Sequence, residues 1–150
     1  VKPGYAGGKL QDPSYEQVGA GDTGHAEVVR VEFDPSVISY ETLLEVFFAT
    51  HDPTTTNRQG PDVGSQYRSL ILTTSEAQAA AARGFVTKLE AGEYAGKKIV
   101  TEVLPLVHFY TAEEHHQKYF EKNPDQPYCQ VVIGPKLEKL REKFGALLKI

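Results

Sequence analysis

The sequence contains a single cysteine, Cys129, and neither tryptophan nor methionine. One cysteine excludes an internal disulfide and suits a reducing compartment, so we expect a cytoplasmic protein. No apolar run reaches the ~20 residues of a membrane span, and no charged and then apolar leader opens the chain. Lysines and arginines are scattered over most of the chain and the net charge is -4, so the basic surface of a nucleic-acid binder is missing.

The composition is that of an ordinary globular protein. The 150 residues are 40% hydrophobic and 24% charged, which is enough to bury a core. We find no repeat, low-complexity tract or long linker. The sequence therefore predicts one domain over residues 1–150.

Hydrophobic periodicity predicts three strands. Residues 28–33 alternate, with Val29, Val31 and Phe33 on the face expected to be buried. A second strand is predicted over 67–73. A third extended stretch covers 99–110, where Pro105 indicates an edge or a break.

Four helices are predicted around these strands. Ser39 is the expected N-cap of the first, and Ser75 with Gln78 forms a predicted capping box for the second. A short helix is predicted over 112–122, and a last helix begins at Pro135. The alternation of strands and helices predicts a two-layer α+β domain.

Two glycine-rich segments carry acidic and phenolic residues that could perform chemistry. Glu27 precedes an apolar strand, where burial would raise its pKa and keep it protonated as a general acid. Asp62 lies between Pro61 and Gly64, and Tyr67 follows closely. Taken singly, Glu27 could equally be a surface residue, Asp62 a turn residue, and Tyr15 and Tyr67 rings at the core edge. Arg68 alone indicates only a solvated or ion-paired residue.

Other enzyme classes find less support in the sequence. His51, His115 and His116 suggest a metal site, but adjacent histidines point to different sides of a helix and cannot easily share one ion. A serine hydrolase would need a Gly-x-Ser-x-Gly elbow, which is absent, and neither Ser65 nor Ser69 has an obvious histidine partner. The glycine-rich segment 4–8 lacks the Lys-Ser/Thr ending of a phosphate-binding loop.

Ordered strings extend across almost the whole chain and are more specific than any single residue. They are Gly-Tyr-Ala-Gly-Gly at 4–8, Pro-Ser-Tyr-Glu-Gln-Val at 13–18, Gly-Asp-Thr-Gly-His-Ala-Glu at 21–27, Ile-Ser-Tyr-Glu at 38–41, His-Asp-Pro-Thr at 51–54, Asn-Arg-Gln-Gly at 57–60, Asp62, Gly64, Gln-Tyr-Arg-Ser at 66–69 and Tyr-Cys at 128–129. Together these strings closely resemble the methionine sulfoxide reductase A family.

The resemblance implies thiol-dependent reduction of methionine S-sulfoxide, free or in proteins, without a metal or organic cofactor. It assigns Glu27 as the acid, Tyr15 and Tyr67 as donors to the sulfoxide oxygen, and Asp62 as a residue that holds the polar end of the site. The expected partners are methionine sulfoxide and thioredoxin or another dithiol, and we expect a monomer. The implied fold is a two-layer sandwich with a mixed, largely antiparallel sheet and a ferredoxin-like core.

The sequence departs from the family pattern at the thiols. The family's nucleophile lies in a Gly-Cys-Phe-Trp string that these 150 residues do not contain, so we expect the first strand and helix to be missing. Gly19 stands where some relatives carry a recycling cysteine. Cys129 lies beside an apolar run, and is either a buried, inert thiol or a resolving cysteine, but not the primary nucleophile.

We therefore expect the 150-residue chain alone to be inactive by the usual mechanism. Three explanations remain open at this stage: a shortened form of a normal reductase, complementation by another segment, or a pseudoenzyme. The last would be a binding module that holds methionine sulfoxide without reducing it.

Overall fold

The computed structural model describes residues 2–9, 11, 13–20 and 23–112, with the side chain of Tyr15 excepted. The helices predicted over 112–122 and from Pro135 fall outside this part of the chain, apart from Ala112. His115, His116 and Cys129 fall outside it as well. Within the described part, no helix is long and apolar enough to cross a membrane.

Seven strands, three α-helices and one 3-10 helix make up the described chain. In order they are β1 (Lys2–Ala6), α1 (Tyr15–Gly19), β2 (Ala26–Arg30), α2 (Tyr40–Ala49), β3 (Arg58–Gln59), β4 (Asp62–Val63), the 3-10 helix Ser65–Tyr67, β5 (Leu70–Thr73), α3 (Glu76–Ala91), β6 (Glu102–Pro105) and β7 (Phe109–Thr111).

The strands form three small sheets. β1 is central in an antiparallel sheet of order β2-β1-β7, where Tyr5 lies opposite both Glu27 and Tyr110. β3 and β4 form an antiparallel hairpin, and β5 pairs with β6 in parallel. Separate helices beside a mixture of antiparallel and parallel pairs confirm the predicted α+β class.

The main core lies between α2, α3 and the β5–β6 sheet. Leu44 and Phe48, four residues apart on α2, are buried against Ala82 of α3 and against Ile99. The Phe48 ring stacks on that of Phe85, with 5.6 Å between centroids. A second cluster of Tyr5, Val18 and Ala112 lies beneath the antiparallel sheet and fixes α1 against it.

The predicted helix starts are confirmed, with one difference. The Ser39 hydroxyl accepts from the Thr42 backbone N–H, and Ser75 does the same for Gln78. The Gln78 side chain, however, accepts from the Thr74 backbone N–H at 2.9 Å and not from Ser75. The capping box predicted at Ser75 is therefore only half formed.

The strand predictions need three corrections. The alternation in β2 has the opposite phase, because Ala26 is buried while Val29 is 58% and Val31 42% exposed. With valine at 28, 29 and 31, hydrophobicity could not distinguish the two faces. Tyr67 lies in the 3-10 helix, and the strand begins at Leu70. The stretch 99–110 is two strands in different sheets, and the first of them ends at Pro105, as the proline indicated.

Candidate functional site

Glu27 is a candidate acid whose surroundings raise its pKa. It lies on β2 directly opposite Tyr5 of the central strand, so the two side chains leave the same face of the sheet. The residue as a whole stays exposed, but protein atoms crowd its carboxyl group. This burial raises the pKa of Glu27, and the negative charge of Asp62 raises it further. Glu27 is therefore protonated more readily than an ordinary glutamate.

Asp62 comes to Glu27 from a hairpin that the sequence analysis did not predict. Gln59 of β3 pairs with Asp62 of β4, and Gly60 and Pro61 form the turn between them. Gly60 has φ +55°, in the left-handed region that glycine adopts without strain. The tight turn places the half-buried Asp62 at the start of β4, near enough to Glu27 for its charge to act there.

The Gln59 side chain holds this hairpin to Asp52, in the chain that follows α2. Its Oε1 accepts from the Asp52 backbone N–H at 3.0 Å, and its Nε2 donates to the Asp52 carbonyl at 2.6 Å. The amide thus copies the paired bonds of a β-ladder. Only a side chain that both donates and accepts can make the two bonds.

Tyr67 reaches the same region from the 3-10 helix, which packs against β2. The half-buried Tyr67 ends this helix, and its backbone N–H donates to the Gly64 carbonyl at 3.0 Å. Gly64 has φ +146°, and a Cβ there would collide with the Gln66 side chain. Glycine at position 64 is therefore required for the turn that leads from Asp62 to Tyr67.

Two of the predicted site residues cannot be placed as fully. The backbone of Tyr15 begins α1, where Ser14 and Gln17 form a complete capping box, but its side chain lies outside the described structure. Cys129 lies outside it altogether. The structure thus brings Glu27 and Asp62 together and packs the turn that carries Tyr67 against β2.

His25 is a buried residue beside this site that the sequence analysis did not single out. It is 2% exposed, and its Nδ1 accepts from the Gly8 backbone N–H at 3.0 Å. In the neutral ring the proton therefore lies on Nε2. A Cβ at Gly8 would collide with the backbone of Thr23 and His25, so glycine alone allows this approach. The sequence signal that could have drawn attention to His25 is the Gly-His-Ala-Glu string at 24–27.

Ser69 has a histidine partner, contrary to the sequence analysis. The Nδ1 of His51 lies 2.6 Å from the Phe47 carbonyl, which can only accept, so Nδ1 donates. In the neutral ring Nε2 then accepts from the Ser69 hydroxyl at 2.7 Å, and Ser69 accepts from Thr101 at 2.7 Å. Ser69 is only 5% exposed, and its hydroxyl is held between His51 and Thr101. The contact joins the chain that follows α2 to the residues just before β5 and β6, and we interpret it as structural.

The candidate site consists of two acidic residues and one phenol, Glu27, Asp62 and Tyr67. A depression of about 290 Å³ includes Arg68 and Ser69 in its lining but none of Glu27, Asp62 and Tyr67. Among the described residues, no three histidine, cysteine or acidic side chains come close enough together to hold a metal ion. A protonated carboxyl beside a second carboxylate can give a proton to a bound oxygen.

The described structure is an α+β domain that carries an acid of raised pKa, Glu27, on its antiparallel sheet. The structure is similar to that of reduced Mxr1 from Saccharomyces cerevisiae, with a TM-score of 0.79 and 41% identity over 85% of this chain and 73% of that one. The family model described as peptide methionine sulfoxide reductase matches residues 1–148. The chain belongs to this family.

Two relatives illustrate the extent of the match. The peptide methionine sulfoxide reductase MsrA of Halobacterium salinarum is 56% identical over 146 residues, which are 97% of this chain and 82% of the relative. The MsrA of Sulfolobus acidocaldarius is 54% identical over 144 residues, 96% of this chain and 81% of the relative. The resemblance first drawn from short strings therefore extends over the whole sequence.

Proposed function

We propose that this protein acts in the thiol-dependent reduction of methionine S-sulfoxide to methionine, in peptides or as the free amino acid. The observation that carries the proposal is the raised pKa of Glu27, caused by burial and by Asp62, within a chain of this family. The family's chemistry needs a proton donor at the sulfoxide oxygen, and Glu27 has the environment of one.

The reaction has a simple balance. A cysteine thiolate attacks the sulfoxide while one proton is delivered to the sulfoxide oxygen; the S–O bond of methionine sulfoxide breaks, an S–O bond to the cysteine sulfur forms, and methionine leaves. As the sulfoxide is reduced, the cysteine is thereby oxidised to a sulfenic acid. A second thiol condenses with it to a disulfide and water, and an external dithiol reduces the disulfide. We propose thioredoxin or another dithiol as that reductant.

We assign each predicted site residue one part of the proton donation. Glu27 gives the proton, Tyr67 and Tyr15 donate hydrogen bonds to the oxygen, and Asp62 keeps the pKa of Glu27 raised and holds the polar end of the site. A neutral carboxyl and two phenols directed at one oxygen stabilise the charge that develops there, as an oxyanion hole does. No organic cofactor or metal has a part in this scheme.

The thiol half of the reaction needs a cysteine in the family's Gly-Cys-Phe-Trp context, which does not occur in these 150 residues. Cys129 remains a candidate resolving cysteine, and not the nucleophile. We also propose a monomeric protein of the reducing cytoplasm. Sedimentation of the purified chain and fractionation of cells test these two points.

A chimera tests the function. The 150 residues are joined at Val1 to a segment that carries the family's Gly-Cys-Phe-Trp string and are assayed with dithiothreitol. We expect the chimera to reduce the S epimer of a methionine sulfoxide substrate and to leave the R epimer unchanged. A correctly folded chimera that reduces neither epimer would contradict the proposal.

The role of Glu27 is tested in the same chimera. Glu27→Gln removes the proton but keeps the shape, so we expect the reductive step to slow by about 10² or more. The matched control is Glu32→Gln, because Glu32 is an exposed carboxylate that pairs only with Arg30 among the ion pairs seen. Single-turnover kinetics separate this step from recycling. An equal rate for Glu27→Gln and the control would make Glu27 a structural residue.

A further inference from the structure

The Arg68 side chain joins three segments that are far apart in sequence. Its Nη2 donates to the Gly24 carbonyl at 3.0 Å, and its Nη1 donates to the Ser65 carbonyl at 2.8 Å. Its Nε donates to a carboxylate oxygen of Glu102 at 2.9 Å. One guanidinium thus bonds the loop before β2, the 3-10 helix and the first residue of β6.

The burial and bonding of Arg68 hold its guanidinium in one orientation. The Arg68 side chain is only 16% exposed, whereas Glu102 is 48% exposed. Guanidinium donors lie in one rigid plane, so occupying three of them in different directions fixes the orientation of the group. Gly7, with φ +87°, leaves room on one side, since a Cβ there would stand 3.2 Å from Nη2.

The bonded carbonyls lie next to the proposed donors. Gly24 precedes Glu27 by three residues, and Ser65 begins the 3-10 helix that follows Asp62 and ends at Tyr67. Bonding both carbonyls to one planar group sets the distance between the start of β2 and this helix. Glu102 supplies the negative charge that lets the cation stay in this half-enclosed position.

We propose that Arg68 is a positioning residue, which holds the strand of the acid and the turn of the phenol at the separation that proton donation needs. The inference rests on the proposed function, because it gives Glu27 and Tyr67 their roles there. Arg68 itself need not touch the substrate. It acts through the two carbonyls that it joins.

An ordinary stabilising ion pair would make a different prediction from a positioning residue. Loss of a merely stabilising bond lowers the melting temperature and leaves the Glu27 environment as it was. Loss of a positioning bond lets β2 move away from the 3-10 helix. Water then reaches the Glu27 carboxyl and Asp62 draws away from it. Both causes that raise the Glu27 pKa weaken, so the pKa falls towards its ordinary value.

The test is an NMR titration of the Glu27 carboxyl in the 150-residue chain. Arg68→Lys keeps the charge but loses the planar fork, so any shift reports geometry and not the loss of a cation. Arg30→Lys is the matched control, because Arg30 is a partly exposed arginine on β2 itself whose one carboxylate partner is Glu32 and whose guanidinium lies over the Phe109 ring. We expect the Glu27 pKa to fall in Arg68→Lys and to match the unsubstituted chain in Arg30→Lys.

A second variant serves if Arg68→Lys does not fold. Gly7→Ala changes no charge, but at φ +87° its added methyl group would stand 3.2 Å from the same Nη2 that bonds Gly24 and 3.2 Å from a Leu70 methyl. We expect a fall of the Glu27 pKa in this variant as well. The inference would be overturned if the Glu27 pKa in either folded variant equalled that of the unsubstituted chain. The melting temperature of the variant does not affect this conclusion.

The titration is independent of turnover. A downward shift in Arg68→Lys with no reductase activity in the chimera would support the positioning role and contradict the proposed function. An active chimera, together with a Glu27 pKa that Arg68→Lys leaves unchanged, would support the proposed function and contradict the positioning role. The two failures are therefore distinguishable.

Discussion

At the scale of single residues, the site depends on a glutamate that is costly to ionise. Burial and the charge of Asp62 both penalise the Glu27 carboxylate. The sequence predicted that burial would raise the pKa of Glu27, but it placed Glu27 before the strand, whereas the structure places this residue within β2. The sequence could not predict from the residues alone that Asp62 comes near, since that requires the hairpin at Gly60 to fold back on β2.

This cost gives a signed dependence of stability on pH. Because the folded pKa is raised, protonated Glu27 favours folding below the ordinary value of 4.5, and this contribution is lost as pH rises through the folded pKa. At neutral pH the charged side chain opposes folding. Glu27→Gln should therefore raise the melting temperature at neutral pH, with a gain that shrinks towards zero below pH 4.5.

Thermal melts across this pH range, monitored by circular dichroism, measure the effect. Glu32→Gln is again the control, and its change should be small at every pH because an exposed pair contributes little. A neutral-pH melting temperature that Glu27→Gln lowers would contradict the sign.

At the scale of elements, local signals predicted helices better than strands. Ser39 and Ser75 marked two helix starts because a cap is a contact within four residues. The two-residue strands β3 and β4 carry no period to read. Their place is set by the Gln59 amide on Asp52, a contact across seven residues that no local rule predicts.

The Gln59 contact can be tested by a single exchange of amide for carboxylate. Gln59→Glu keeps the acceptor for the Asp52 N–H but sets a second oxygen against the Asp52 carbonyl. We expect a loss of about 1 kcal/mol in the free energy of unfolding, as for one hydrogen bond at a partly exposed position. Urea unfolding at neutral pH measures it.

Gln17→Glu is a matched control for this exchange. The Gln17 Oε1 accepts from the Ser14 backbone N–H at 2.8 Å, and glutamate at that helix position can accept equally well. The control should lose no stability. An equal loss in both variants would mean that the Gln59 side chain does not hold the hairpin.

At the scale of the whole molecule, the family was predictable and the strand pairing was not. The α+β class followed from the order of elements, but periodicity cannot say that β6 pairs in parallel with β5 while β7 joins β1. Those pairings join residues that are distant in sequence. The ordered strings identified the family even though the strand pairings could not be predicted. A family resemblance is read from residues in order along the chain and does not require their spatial pairing.

The absence of the family's Gly-Cys-Phe-Trp cysteine from the 150 residues predicts how this chain behaves when assayed alone. Assayed alone with dithiothreitol, the chain should reduce no methionine sulfoxide, because the family's nucleophile is absent from it. The chimera described above is the positive control. Turnover by the 150 residues that disappears in Cys129→Ser would instead make Cys129 the nucleophile.

The central claim is that Glu27 and Asp62 form one proton-donating site, and a carboxyl titration tests it most directly. Asp62→Asn removes one of the two causes that raise the Glu27 pKa and leaves burial, the larger cause. NMR titration should find the Glu27 pKa above 4.5 in the unsubstituted chain and lower in Asp62→Asn, though still raised. A Glu27 pKa at or below 4.5, or one that Asp62→Asn leaves unchanged, would contradict the account.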